Sequence, residues 1–377
     1  MLSSTELAAL VEMRHHLHRH PELSCAEERT SAFLAKRLAE LGLPVVSGIG
    51  GQGLVATIGS GGPAVGLRAD MDALAITELT GLSYASQSHG VMHACGHDGH
   101  MAILMGAAMI LQRQAFSGRI HLVFQHAEER YGGARMMLDD GLLDRFPMDR
   151  IFGLHNWPGL PSGSVAVHDG PVMAGTAEFA LRFRAAGGHA SMPHLTGDPL
   201  LAGGQFMVGI QQAVARSVDP MEAAVVTVGS FQGGHAQNII PQEAVLTGTL
   251  RAFRTPTLAH LRTRVASVAE AAAQMSGCSY NLDFDANPCS PVVNTAPERD
   301  ILRAAAAAAL IAPPPPVMAG DDFGEFLGVL PGAYAFLGNG DLAPEAGLHQ
   351  PKYDFNDAVI APGAELLARA ALLSLSD

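Results

Sequence analysis

Three apolar stretches, Ala64–Arg68, Arg119–Gln125 and Ile151–Leu154, read as strands, and each runs directly into acids or imidazoles. The first leads into Asp70-Met71-Asp72, the second into His126-Ala127-Glu128-Glu129, and the third into His155-Asn156-Trp157. Random surface placement would scatter such residues. Acids and imidazoles at the ends of successive buried strands belong to an open α/β sheet, whose sites lie beyond the strand ends.

The stretch Met92-His93-Ala94-Cys95-Gly96-His97-Asp98-Gly99-His100 adds a thiol and three imidazoles within nine residues. Thiolate and imidazole together suit zinc and its neighbours. The plain alternative is a glycine-rich turn with a small buried Cys and surface histidines. An apolar helix, His100–Gln114, follows, and the spacing of Met101, Met105 and Met109 puts them in its core-facing stripe.

At 377 residues the chain is too long for one simple core, so two domains are expected. Apolar residues at 48% and charged ones at 16% exclude disorder, and a net charge of −13 argues against nucleic acid or an anionic membrane as partner. No apolar run reaches spanning length. The start, Met1 to Glu6, lacks a basic segment and an apolar signal core, and four cysteines do not make a disulfide scaffold; a reducing cytoplasm is expected.

Elsewhere, residues 5–20 read as a helix whose histidine-rich end, His15 to His20, is expected to be solvated and stopped by Pro21. Residues 26–41 form a second helix. From about Gly175 the order changes to strand (178–185), helix (198–217), strands (223–231 and 243–253), helix (256–275) and strand (280–284), with Asp198 and Thr255 as N-caps. This β-α-β-β-α-β order is that of a ferredoxin-like module. The reading is thus an α/β chain with a discontinuous metal-binding domain, 1–173 plus 289–377, and an inserted ferredoxin-like domain, 174–288.

The candidate donors are Cys95, His97, Glu129, His155 and His349. Five ligands exceed what one catalytic tetrahedral metal takes and suit two metals with a shared ligand. Adjacent residues on a regular strand point opposite ways, so Glu128 and Glu129 can serve one site only at a strand end or bend. One would bind metal, and the other would act as general base on water.

These segments resemble the di-metal amidohydrolases of the aminoacylase and carboxypeptidase G group, in particular the hippurate hydrolase and auxin-conjugate hydrolase branch. The resemblance runs through His18 to Leu23, Arg68 to Leu74, His93 to His100, Phe124 to Glu129, Gly153 to His155, Gly187 to Ser191, Met318 to Phe323 and Leu348 to Asp357. It implies two divalent ions (Zn, Mn, Co or Ni) on Cys95, His97, Glu129, His155 and His349. It further implies Glu128 as base and then acid, Asp72 as the carboxylate orienting a ligand imidazole, and His189 as oxyanion donor. Arg251 and Asn238 would contact the substrate. The implied activity is hydrolysis of N-acyl-L-amino acids, with a dipeptidase or exopeptidase as the enzymatic alternative and a non-catalytic binding protein as the other. The resemblance makes the inserted domain, 174–288, a lid over the metal-binding domain; in the group that lid often pairs two subunits, which implies a homodimer or higher homo-oligomer. Departures are His126 where proline is expected, Asp321 for glutamate, and Ser191-Met192 for Gly-Ala. His126 is either a titratable neighbour of the site or a packed strand-end residue.

Overall fold

The computed structural model describes residues 1–130, 132–285, 288–341, 343 and 345–376. The chain divides into two compact units. The first comprises Met1–Val172, Val292–Pro316 and Asp321–Asp377, and the second Met173–Pro291 and Val317–Gly320. The short segment Val317–Gly320, which the sequence reading left with the metal-binding part, therefore groups with the second unit, where Ala174 N–H donates to the carbonyls of Val317 and Ala319.

The first unit is built on an eight-stranded mixed sheet. From one edge its order is Val45–Ile49, Gly53–Ser60, Gly118–Gln125, Ala64–Asp70, Arg150–Pro158 and Gly332–Gly340, followed by the short strands Val165–Ala166 and Leu310–Ile311. The strand Ala64–Asp70 runs parallel to both Gly118–Gln125 and Arg150–Pro158, with Asp70 opposite Gln125. The three acid- or imidazole-bearing ends therefore share one edge. Every residue of Ala64–Asp70 is buried, as parallel strands covered on both faces require.

The helix His97–Leu111 is buried along nearly its whole length, with Met101 and Met105 in the core and Met109 packed against it. At Gly106 it passes so close to the helix Ile360–Ser374 that an added Cβ would lie 2.9 Å from that of Ala364. Each fully buried Leu, Ile or Met here contributes about 1.5–3 kcal/mol relative to exposure.

The helix Ser4–Arg19 starts with a capping box between Ser3 and Glu6. Its histidine-rich end is only partly solvated, against expectation: His15, His16 and His20 are half-exposed, whereas His18, with Arg14, is fully buried. The reason is Asp98, a carboxylate inside the apolar helix His97–Leu111, which a core accepts only when paired. Arg14 Nε donates to Asp98 Oδ2 at 2.8 Å, and His18 Nδ1 lies 2.9 Å from the same oxygen.

The second unit holds a four-stranded antiparallel sheet in the order Ala224–Gly233, Glu243–Ala252, Gly175–Arg184, Ser279–Phe284. Its β-α-β-β-α-β order is completed by the helices Pro199–Gly209 and Thr255–Met275. Ala177, Phe179, Leu181 and Phe183 alternate inward, and Phe206 of the first helix meets Phe179 and Phe183 edge-on. Asp198 caps that helix by accepting from Leu200 and Leu201 N–H. Two details differ from the sequence reading. The helix expected over 198–217 breaks at Ile210, into Pro199–Gly209 and Gln211–Ala215. Thr255 is already helical and Arg254 is the N-cap, because Pro256 fits the first turn, where its missing N–H costs nothing.

Candidate functional site

Beyond the shared strand edge, donor atoms converge in overlapping trios, each with all atoms within 4.8 Å of one another; two of them share Cys95, namely Cys95, His97 and His155, and Cys95, Glu129 and His349. Cys95 belongs to both, so the five residues form one cluster drawn from four distant stretches of chain.

Hydrogen bonds fix how the imidazoles face it. His97 Nδ1–H donates to the Asp72 carbonyl at 2.9 Å and lies 3.3 Å from the Asp72 carboxylate, which turns Nε2 inward. His155 Nδ1–H donates to the Asn156 carbonyl at 2.7 Å, leaving Nε2 3.3 Å from Cys95 Sγ. His349, at a left-handed φ of 62°, is tied to the Cys-x-His segment by its N–H on the Ala94 carbonyl at 2.8 Å, and its Nε2 lies 3.5 Å from Glu129 Oε1.

Gly96 makes the close turn between Cys95 and His97. Its φ is 89°, and an added Cβ would meet Asn156 Nδ2 and the Tyr353 hydroxyl at 2.4 Å. Glu128 and Glu129 form a short helical turn after the strand Gly118–Gln125. Both carboxylates lie 3.9 Å from His97 Nε2.

Three buried atoms at the cluster have no hydrogen-bond partner among the described residues: His97 Nε2, Glu129 Oε1 and Asp72 Oδ1. Electrostatics point the same way. Burial, then the charges of Glu129, Glu128 and Asp70, push the Cys95 thiol well above its usual range. Burial, then Asp321 and Glu129, do the same to Glu128. Burial opposes a charged His97, but Asp70, Asp72 and Glu129 outweigh it and push the ring up to about 10. His155 is held neutral by burial and by His100. A cluster that draws protons this strongly carries excess negative charge, which a divalent cation neutralises. Soft thiolate, imidazole and carboxylate around orphaned donor atoms fit such ions.

Around the cluster lie residues that the sequence reading saw in part or not at all. His100 Nδ1–H donates to Asp70 at 2.6 Å while its Nε2 accepts from Asn156 N–H at 3.0 Å. Asn156 donates to the Cys95 carbonyl at 2.6 Å and accepts from the Tyr353 hydroxyl at 2.7 Å. Arg68, fully buried, joins Asp70, Asp321, Asp322 and Gln125. The first acid of Asp70-Met71-Asp72 and the last histidine of the Cys-x-His stretch were the visible signals for the first of these networks. No local signal marks Asn156 or Tyr353. Asp321 reaches both Arg68 and the Tyr334 hydroxyl. His126 is a fully buried strand-end residue with neither ring nitrogen hydrogen-bonded among the described residues.

His189, Asn238 and Arg251 belong to the second unit. The two-residue strands Gly188–His189 and Ile239–Ile240 pair, and Ala190 N–H donates to the Asn238 carbonyl at 3.0 Å. His189 is exposed and its Nδ1 accepts from Ser191 N–H at 3.1 Å. That bond places the ring proton of neutral His189 on Nε2. Arg251 Nη1 donates to the Met318 carbonyl at 2.6 Å. Met192 is half-exposed.

The fold and cluster define a metal-dependent hydrolase. A model of peptidase family M20/M25/M40 matches residues 66–373. Hippurate hydrolase of Campylobacter jejuni is 37% identical over 369 residues, covering 96% of this chain and 95% of that one. N-acetyl-L-cysteine deacetylase of Bacillus subtilis is 38% identical over 376 residues, covering 98% and 88%. A crystal structure described as a dinuclear metal-binding peptidase of the M20 family, from Bacillus subtilis, superimposes with a TM-score of 0.86 at 30% identity, covering 99% of each chain. The chain belongs to the M20/M25/M40 peptidase family.

Proposed function

We propose that the protein hydrolyses the amide bond of N-acyl-L-amino acids, releasing a carboxylic acid and a free amino acid. The observation that carries this reading is Glu128, a carboxyl buried beside the Cys95–His97–Glu129–His155–His349 cluster: it lies outside both trios that share Cys95 and comes together instead with Asp72 and His97 and with Asp321 and Asp322. The similarity to a hippurate hydrolase and a deacetylase of an N-acetyl amino acid supports the substrate class.

The cluster is assigned to two divalent ions, drawn from Zn, Mn, Co and Ni. Bound there, they supply Lewis acidity towards a carbonyl oxygen and acidify water. Asp72 holds the His97 ring through its main-chain carbonyl on Nδ1 and so keeps Nε2 available, with its carboxylate 3.3 Å from the same nitrogen, where a carboxylate behind a ligand imidazole acts. Glu128 takes a proton from the attacking water and returns it to the departing amide nitrogen. Burial, then the charges of Asp321 and Glu129, raise its proton affinity, the direction that favours taking up the water's proton. His189, with its proton on Nε2, donates to the developing oxyanion. Arg251 spends one N–H on Met318, and its remaining donors form a fork suited to the substrate carboxylate. Asn238, beside His189, is a further substrate contact.

Two coarser assignments accompany this. Among the described residues no helix is long and apolar enough to cross a membrane, and the thiols of Cys25, Cys95 and Cys278 are free, which suits a reducing cytoplasm. The second unit is assigned as the meeting surface of a homo-oligomer: Leu201 and Val208 project from the helix Pro199–Gly209, and Ala224–Gly233 is an edge strand.

The test is release of free amino acid from hippurate and N-acetyl amino acids by metal-loaded and chelator-stripped protein. Turnover of dipeptides alone would transfer the site to the peptidase alternative. Equal turnover with and without metal would remove the proposal.

A further inference from the structure

Glu27 has no part in the chemistry above, yet its side chain is fully buried. It is the N-cap of the helix Glu28–Glu40 only through its main chain, whose carbonyl accepts from Ser31 N–H at 2.9 Å; the side chain makes no cap. Instead the carboxylate crosses to the end of the strand Gly118–Gln125. Ala127 N–H donates to Glu27 Oε1 at 2.7 Å. The other oxygen has no hydrogen-bond partner among the described residues, and burial, then the charge of Asp72, push the carboxyl up to about 7. A buried carboxyl with a single partner is unfavourable to keep, and an apolar side chain would fill the space better.

What that one bond holds is unusual. Ala127 has a φ of 53°, in the left-handed region that residues with a Cβ enter only under constraint. On an extended strand, Glu128 and Glu129 would point to opposite faces. The left-handed residue before them breaks the alternation, and both carboxylates come to 3.9 Å from His97 Nε2. The far side of the pair is held in the same way: Glu129 N–H donates to Asp72 Oδ2 at 3.0 Å, and that oxygen also accepts from the Ser24 hydroxyl at 2.6 Å. Two buried carboxylates thus grip the main chain immediately before and after Glu128.

We infer that Glu27 is a positioning residue: its carboxylate clamps the left-handed main chain at Ala127 and so aims Glu128 at the metal cluster. This rests on the proposed role of Glu128 in proton transfer.

The test compares Glu27→Ala, Glu27→Gln, Glu27→Ala/Ala127→Gly and Glu128→Gln as full-length, metal-saturated proteins, measuring kcat, KM, metal per chain and thermal midpoint. Glu27→Ala lowers kcat roughly 10- to 100-fold, the scale on which a misplaced catalytic group costs rate, with metal content unchanged. KM stays within about twofold, since substrate binding is untouched. Glu27→Gln keeps an acceptor oxygen and retains about a third or more of kcat. In the double variant, glycine enters the left-handed region without penalty, and kcat recovers about threefold or more over Glu27→Ala. If Glu27→Ala is too unstable to purify, Glu27→Met, which fills the space without an acceptor, replaces it. The assignment is overturned by a Glu27→Ala enzyme of parental kcat, by equal losses in Ala and Gln variants, or by no recovery with Ala127→Gly. Glu128→Gln separates the two levels. If it retains kcat, the reading of Glu128 itself fails. If it is inactive while Glu27→Ala has parental kcat, only the Glu27 assignment fails.

Discussion

Replacing Gly96 by alanine tests whether the turn between Cys95 and His97 is as tight as the packing makes it. At a φ of 89°, the Cβ would sit 2.4 Å from both Asn156 Nδ2 and the Tyr353 hydroxyl. Neither atom can retreat freely. Asn156 Nδ2 donates to the Cys95 carbonyl, and the Tyr353 hydroxyl donates to Asn156, both inside the core. The left-handed conformation costs alanine about 1–2 kcal/mol. Displacing packed neighbours adds about 1–3 kcal/mol. Gly81 supplies the control: its φ is 71° and nothing lies within 4 Å of its Cβ position, so Gly81→Ala carries only the conformational cost. The two variants should therefore differ by about 1–3 kcal/mol, or roughly 2–12 °C in thermal midpoint for a unit of this size. The chain has one tryptophan, Trp157, stacked on Phe336 within the first unit, so intrinsic fluorescence reports the relevant transition. Gly96→Ala should also bind metal more weakly in a chelator titration, whereas Gly81→Ala should not. Equal destabilisation by the two substitutions, with equal metal affinity, would refute the packing argument.

Three further outcomes are expected. Cys95→Ser should weaken metal binding, and in the parent an alkylating reagent should modify Cys95 faster in the apo-protein than in the metal-loaded form, with exposed Cys25 as the internal comparison; equal rates would exclude Cys95 as a ligand. His189→Ala should lower kcat roughly 100- to 1,000-fold with metal content intact, whereas Arg251→Ala should mainly raise KM for substrates with a free carboxylate and spare the corresponding amides; normal kcat in the first or unchanged acid–amide discrimination in the second removes that role. For His18, burial opposes the charge but Asp98 outweighs it and pushes the ring up to about 9. Its folded value is raised, so the stabilisation is full below about 6.5 and lost as pH rises through about 9; the shift corresponds to about 3 kcal/mol. Urea unfolding should show His18→Gln far less stable than the parent at pH 6 and nearer to it at pH 10, and a constant gap would contradict the pairing.

Much of the site was legible because its chemistry is local in sequence. Cys95 and His97 are two residues apart, and Glu128, Glu129 and His155 follow apolar strands directly, so strand period and donor type sufficed. The ferredoxin-like order was legible for the same reason, since its strands alternate and Asp198-Pro199 announces a helix. What stayed hidden depends on pairing across long separations. The histidine-rich helix end looks solvated until Asp98 is seen buried opposite Arg14 and His18. Glu27 looks like the opening of an exposed helix until its carboxylate is found on Ala127, a hundred residues on. The strand Val45–Ile49 was missed because its residues are mostly exposed or half-buried and carry a glycine, leaving no clean alternation.

The central claim is that Glu128 moves protons while Glu129 holds metal, although the two are adjacent and equally near His97. Metal content and turnover of Glu128→Gln and Glu129→Gln, measured on the same preparations, test it most directly. The account predicts that Glu128→Gln keeps the parent's metal content and loses about 100- to 10,000-fold in kcat, as removal of a general base does. It predicts that Glu129→Gln loses metal. A Glu128→Gln protein that loses a metal equivalent, or one that keeps its metals and parental turnover, would contradict the account.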